Sequence, residues 1–276
     1  MATIAIMTDF GIKDGNVGVM KGVIWSICPT AQVADVSHMI GPQNVREAAL
    51  VLARSAPFFP DGTIQLVVVD PGVGTNRRPM AARIGRWYYV GPDNGVITLW
   101  LERALAEQWP VHFVQLDRPQ YWLPEVSHVF HGRDIFAPTA AHLAGGTALQ
   151  ELGTRFSDPV RLNLPKPRPL VDGLSGEVIH IDHFGNVASN IRIEHLPDAS
   201  SRKQQIVVDI GGNRIAGLVE TFGERETGEL ISLFGSTGNL IVAVVNGNAA
   251  IRLGAKVGDV FKVTFGPPAA PADLRT

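Results

Sequence analysis

The chain has 276 residues, 45% of them hydrophobic and 18% charged, which is enough apolar material for one large domain or two modest ones. A net charge of −2 supplies no general field for nucleic acid or an anionic membrane, and the single cysteine, Cys28, excludes an internal disulfide. No apolar run approaches the ~20 residues of a membrane span, and "MATIAIMTDF" lacks the basic start of a signal peptide, so a reduced cytoplasmic location is expected.

The first half alternates strand and helix signals. "TIAIM" (3–7) predicts a strand closing in Thr8-Asp9, and residues 15–27 carry apolar groups at helical spacing. A strand over 32–37 and a helix over 44–56 follow. "TIQLVVVD" (63–70) is a near-continuous apolar run, the pattern of a strand buried on both faces. Strands over 87–90 and 111–116 flank a helix over 95–108. This alternation predicts an α/β domain over 1–157 with a central, mostly parallel sheet. Residues 158–173 hold Pro159, Pro165, Pro167 and Pro169 and read as a linker. From 174 to 266 the strands "GEVIHID", "QQIVVDIGGNRIAG", "ELISLFG", "NLIVAVVNG" and "GDVFKVTF" predict an antiparallel, barrel-like β domain, with a hairpin at 209–215. Residues 267–276 read as a tail.

Ligands of open α/β sheets bind beyond the carboxyl ends of the strands. Four predicted strands each deliver an aspartate there: Asp9, Asp35, Asp70 and Asp93. Asp35 and Asp93 fit turn or capping roles. Asp9 and Asp70 each follow a buried strand and precede glycines that let backbone approach a ligand closely. A second cluster, "HVFHGRDIFAP" (128–138), sets His131, Gly132, Arg133 and Asp134 at a loop-to-helix junction, with His128 in a structural role. Asp9, His38, Asp70 and His131 together admit a metal-dependent hydrolase as an alternative. The "HIDH" run (180–183) does not form a ligand set, because strand alternation places His180 and Asp182 on one face and His183 on the other. There is no phosphate-binding P-loop, no dinucleotide fingerprint and no nucleophile elbow.

Six ordered motifs, "MTDFGIKDGNVGVMKG", "VVVDPGVGTNRRP", "VGPDNGV", "FHGRDIFAP", "IDHFGNVASNI" and "GSTGNLIVAVVNGNAA", resemble the S-adenosyl-L-methionine (SAM) hydroxide adenosyltransferases, relatives of the fluorinase and chlorinase. The resemblance spans nearly the whole chain. It implies hydrolysis of SAM to adenosine and methionine with no separate cofactor, SAM being the substrate. It also implies an N-terminal α/β domain, a C-terminal β-barrel, and a homotrimer whose sites lie between neighbouring subunits.

By the same resemblance Asp70, Arg77 and His131 hold and activate the attacking water, and Asp9 grips the ribose hydroxyls. Asp182, Phe184 and Asn186 contact the methionine end and the adenine, Ser236 lies near the methionine carboxylate, and Phe222 stacks on adenine. The halogenases carry tyrosines at the positions of Asp70 and His131 and a halide-binding serine at that of Gly132. Gln43 replaces the aromatic that covers the ribose in the halogenases. These departures favour water over halide.

The chemistry fits the residues. A sulfonium leaves as a neutral thioether, so no general acid is needed. What must be supplied is a held, desolvated water in line with the C5′–S bond. Arg77 is always charged and cannot be the base. The proton acceptor is His131 or Asp70, and sequence leaves that choice open. A non-catalytic SAM- or adenosine-binding protein is the remaining alternative.

Overall fold

The computed structural model describes residues 2–265, so the expected tail over 267–276 lies outside the described residues. The chain divides into two compact units after Leu162. The division falls inside the Pro-rich segment.

The first unit contains β1 (Thr3–Thr8), α1 (Asn16–Ile27), β2 (Gln32–Ser37), α2 (Val45–Ser55), β3 (Ile64–Val68), β4 (Pro79–Ile84), β5 (Trp87–Pro92), α3 (Thr98–Ala106), β6 (Val111–Leu116), α4 (Ala137–Ala144) and β7 (Gly153–Phe156). The strands form one seven-stranded sheet in the order β2-β1-β3-β5-β4-β6-β7. β2, β1, β3 and β5 pair in parallel, and β4 and β7 enter antiparallel to their neighbours. The sheet is therefore mixed, with most strands pointing one way.

Two sequence features explain the arrangement. Every residue of β3 is buried, because its side chains serve both faces. Ile64, Leu66 and Val68 pack with Met20 and Ile24 of α1 and Ala140 and Ala141 of α4. Val67 and Val69 face the other way, toward Leu52 of α2 and Trp100 and Leu101 of α3. Each such aliphatic side chain contributes roughly 1.5–3 kcal/mol on burial. β4 returns antiparallel because only Gly85 and Arg86 separate Ile84 from its partner Trp87, and Gly85 takes φ 62°.

The second unit contains β8 (Arg168–Leu170), β9 (Gly173–Ile181), β10 (Val187–Arg192), β11 (Ile206–Ile210), β12 (Asn213–Ala216), β13 (Leu230–Phe234), β14 (Asn239–Val244), α5 (Ala249–Leu253) and β15 (Val260–Phe265). Its strands run in the order β12-β11-β15-β9-β10-β14-β13, all antiparallel, with β8 on β9. The predicted hairpin forms between β11 and β12, and Gly211 and Gly212 supply the two positive φ angles (57° and 83°) its turn needs. The Val219 N–H donates to the Ser232 carbonyl at 3.0 Å and Ser232 Oγ donates to the Gly217 carbonyl at 2.8 Å. These bonds bring the two ends of the sheet together into a nearly closed barrel.

Candidate active site

The sheet order sets Asp9, Asp70 and Asp93 along one edge, because β1, β3 and β5 are consecutive parallel neighbours, while Asp35 lies within β2 opposite Ile6. Each carboxylate has a different environment.

Asp70 follows β3 and turns into a buried contact with Arg77. Arg77 Nε donates to Asp70 Oδ1 at 3.0 Å, and Nη2 donates to Oδ2. The side chains are only 5% and 7% exposed. The same Nη2 lies 3.0 Å from His131 Nδ1. Asp70, Arg77 and His131 are thus brought into one cluster from positions far apart in the chain. A guanidinium can only donate, so Nδ1 is the acceptor and the neutral ring carries its proton on Nε2. Burial lowers the His131 pKa below its ordinary value, and the adjacent Arg77 charge lowers it further, against the opposing pull of Asp70 and Asp134. Arg77 Nη1 is buried with no partner among the described residues. The guanidinium also lies over the Phe136 ring at 5.2 Å.

Local structure explains why the arginine returns. Val73 N–H bonds to the Asp70 carbonyl at 3.2 Å and Thr75 N–H to the Gly72 carbonyl at 3.1 Å, giving two successive tight turns. Gly74 takes φ 75°, and a Cβ there would lie 2.3 Å from the His128 carbonyl oxygen. The turn carrying Arg77 therefore presses directly on the loop carrying His131. That loop is fixed in turn by Asp134, which is fully buried. Asp134 accepts from Ser127 N–H at 2.9 Å and from Arg133 Nε at 2.5 Å. Burial alone would raise its pKa, but these donors outweigh it and hold the carboxyl below the usual range. Gly132 opens a π-helical turn (Gly132–Phe136) directly after His131, and a Cβ on it would meet Val68 Cγ1 at 3.2 Å.

Asp9 follows β1. Its Oδ2 accepts the Gln43 backbone N–H at 2.7 Å, and Gln43 adopts φ 61° to present it. Gln43 thus stands beside Asp9, through its backbone. His38, considered above as a metal ligand, is a structural link. Its Nδ1 bonds Thr8 Oγ1 at 2.9 Å and its Nε2 bonds Asp35 Oδ1 at 3.0 Å. Lys21 Nζ completes the chain on Asp35 at 2.7 Å; burial alone would raise the Asp35 pKa, but the bonds from Lys21 and His38 together hold it below its ordinary value. Asp93 is tied to Arg78 at 2.9 Å. Among the described residues, no group of three or more His, Cys, Asp or Glu side chains is arranged to hold a metal ion.

In the second unit, Asp182 organises the turn after β9. Its Oδ1 accepts from the Phe184 and Asn186 backbone N–H groups, both at 2.9 Å, and its Oδ2 accepts from Asn186 Nδ2 at 2.8 Å. Asp182 and Asn186 are therefore in contact, and Phe184 is left 73% exposed at the tip. Gly185 takes φ 83° and packs against the Asn248 side chain, which caps α5 through the Ile251 N–H at 2.8 Å. Ser236 is exposed in the turn between β13 and β14. Val187 pairs with Val242 and Arg192 with Asn239, so Ser236 lies at the opposite end of the β10–β14 pair from the Asp182 turn. Phe222 is 44% exposed in a short 3₁₀ turn (Phe222–Glu224). The second unit therefore displays these residues in three separate turns.

Residues 4–153 match the SAM hydroxide adenosyltransferase N-terminal domain and residues 176–262 match its C-terminal domain. The chain belongs to the SAM hydroxide adenosyltransferase family. It is 42% identical to a (R)-S-adenosyl-L-methionine hydrolase of Salinispora tropica, over 95% of this chain and 98% of that one. It is 31% identical to a fluorinase of an Actinoplanes species, over 95% and 97%. A crystal structure of an uncharacterized conserved protein from Thermotoga maritima superposes with a TM-score of 0.87 at 38% identity, covering 95% of this chain and 99% of that one.

Within this SAM hydroxide adenosyltransferase chain, Asp9, Asp70, Arg77, His131 and Gly132 fall in the N-terminal match, and Asp182, Phe184, Asn186, Phe222 and Ser236 in the C-terminal one. Sequence reading passed over Asn94, whose Nδ2 donates to the Val69 carbonyl at 2.8 Å and holds the peptide preceding Asp70. It also passed over Arg78. The paired "RR" and the "DN" of "GPDNGV" were the available signals.

Proposed function

We propose that this chain hydrolyses S-adenosyl-L-methionine to adenosine and L-methionine by in-line attack of one water on the ribose 5′ carbon. The Asp70–Arg77–His131 cluster carries the reading, together with family membership and the greater identity to hydrolases than to fluorinases. The hydrolase relatives bear an (R) designation in their names, and the (R) form of SAM is the substrate assigned here.

The cluster's geometry supports a division of labour. His131 Nδ1 is occupied by Arg77, so the ring offers Nε2–H as a donor and is not free to take a proton at Nδ1. Asp70 is the acceptor that remains. Its carboxylate has about four lone-pair directions, of which Arg77 uses two. A water bound here gives one O–H to Asp70 and receives His131 Nε2–H or Arg77 Nη1–H on one lone pair. Its other lone pair is directed at C5′. The C–O bond forms as the C–S bond breaks, the bonding pair leaves on sulfur as a neutral thioether, and the water proton passes to Asp70. A modest base suffices, because the attacking water becomes strongly acidic as it bonds to carbon. Asp9 accepts hydrogen bonds from the ribose diol while the Gln43 N–H fixes its orientation.

The same reading includes metal-independent turnover, a cytoplasmic setting, and a homotrimer in which each site joins the first unit of one subunit to the second unit of the next. The three dispersed turns of the second unit suit a partner surface that completes the site. Light scattering tests the trimer.

The deciding experiment is product analysis of EDTA-treated protein with each SAM epimer in oxygen-18 water. Adenosine labelled at the 5′ oxygen plus methionine is expected. Bound but intact SAM would replace this reading with a binding protein, and turnover only after metal is restored would replace it with a metal-dependent hydrolase.

A further inference from the structure

Two consecutive arginines follow the Asp70 turn, and each reaches a different aspartate. Arg77 turns to Asp70 at the end of β3, and Arg78 turns to Asp93 at the end of the adjacent β5. The second pair is built more elaborately than a surface ion pair. Arg78 Nε donates to Asp93 Oδ2 at 2.9 Å, and the Asp93 N–H returns to the Arg78 carbonyl at 2.9 Å. Asp93 is fully buried in its side chain and also accepts the Val160 N–H at 2.8 Å. Arg78 then reaches Asp158, with Nη1 on Oδ1 at 2.8 Å and Nη2 on the carbonyl at 2.6 Å, while its plane lies 4.3 Å over the Phe156 ring.

We infer that Arg78 is a positioning residue for the reaction: by clasping Asp93 and the strap Asp158–Leu162, it sets the turn from which Arg77 reaches Asp70 and His131. The inference rests on the proposed hydrolysis for its kinetic arm only. The strap is itself fixed to α3, since the Leu162 N–H donates to Thr98 Oγ1 at 2.8 Å. One residue away, Arg77 has both its contacts satisfied only if its backbone does not swing. Relaxing the clasp moves the guanidinium relative to Asp70 and His131 without removing any group that touches the water. A displacement of about 1 Å in such a group costs on the order of 100-fold in rate.

The test uses the full chain with Arg78→Gln, Arg78→Lys, Asp158→Asn, and the double variant Arg78→Gln/Asp93→Asn. The double variant leaves no unpaired buried carboxylate and so guards against simple misfolding. Arg86→Gln, an exposed arginine elsewhere, is the control. For folded Arg78→Gln and the double variant, kcat for SAM is expected to fall roughly 10- to 100-fold with KM changed by less than about threefold. Arg78→Lys, which keeps a charge on Asp93 but loses the fork on Asp158, is expected to fall between these variants and the wild type. The pH profile of kcat is expected to shift, because the groups facing His131 are Arg77, Asp70, Asp134 and His128 and only Arg77 is displaced. A crystal structure of the double variant is expected to show Arg77 Nη2 drawn away from His131 Nδ1. Wild-type kcat in folded variants, or an unmoved Arg77 in that crystal structure, overturns the inference. If the wild type itself leaves SAM intact, the hydrolase reading fails, and the crystal structure still decides whether Arg78 positions Arg77.

Discussion

Arg77 Nη2 sits 3.0 Å from His131 Nδ1, and this bond requires the neutral imidazole with its proton on Nε2. Protonating His131 places a hydrogen on Nδ1 facing a guanidinium. The His131 pKa lies below the ordinary imidazole value of about 6.5. Turnover is therefore expected to be constant above that value and to decline as pH falls through the lower, folded-state pKa. A pH profile of kcat checks this, and an unchanged rate well into the acid range would remove His131 from the proposed role.

The same shift bears on stability. The folded state holds His131 neutral where the unfolded chain binds a proton, so folding free energy is retained above about pH 6.5 and lost as pH falls toward the folded pKa. His142, whose pKa is also lowered by burial, adds a contribution of the same sign. Urea denaturation across this window should show that slope, and His131→Asn should flatten it in part.

Arg77→Lys should lower kcat by on the order of 100-fold or more, since a single ammonium cannot serve both Asp70 oxygens and His131. Asp70→Ala should abolish measurable turnover. It also leaves a buried cation unpaired, which costs about 3–5 kcal/mol of stability. Chemical denaturation and kcat measured on the same preparations would separate the two effects.

Gly74→Ala should be damaging out of proportion to its size. The added Cβ has only 2.3 Å to the His128 carbonyl oxygen and sits on a backbone at φ 75°. The turn and the loop must part, which separates Arg77 from His131. A fall in kcat of at least tenfold is expected, with a smaller loss in thermal midpoint than Asp70→Ala.

Asp9→Asn keeps one acceptor oxygen for the Gln43 N–H but replaces the other with a donor. If Asp9 grips the ribose diol, KM for SAM should rise about 10-fold or more while kcat changes less. Steady-state kinetics would show the split, and equal effects on both constants would point to a disturbed loop.

The strand ends were legible because β1 and β3 are short, largely apolar runs that are each followed closely by an aspartate. β4 was not, because it begins at Pro79 and carries Arg83 in its interior, which masks a strand buried on most positions. β7 and β8 have only four and three residues and form by pairing with longer neighbours. β10 ("VASNIR") mixes polar and apolar residues without clean alternation, since its register with both neighbours is interrupted. The union of Asp70 with Arg77 is short in sequence and is made by two successive tight turns. Its union with His131, 54 residues further on than Arg77, came from motif resemblance, because no local pattern encodes a contact across that distance. Arg78 was missed because its contact with Asp93 continues the β4–β5 ladder beyond the Pro79–Pro92 pair, and β4 was itself masked.

The clasp of Arg78 on Asp158 has a practical corollary for anyone wishing to isolate the first unit. Composition alone would invite a cut before Asp158, where the prolines begin. Such a fragment would lose the Asp158 and Val160 bonds to Arg78 and Asp93 and the Leu162 bond to Thr98. A fragment ending after Leu162 retains them, so proteases should find their cleavable bonds C-terminal to that residue.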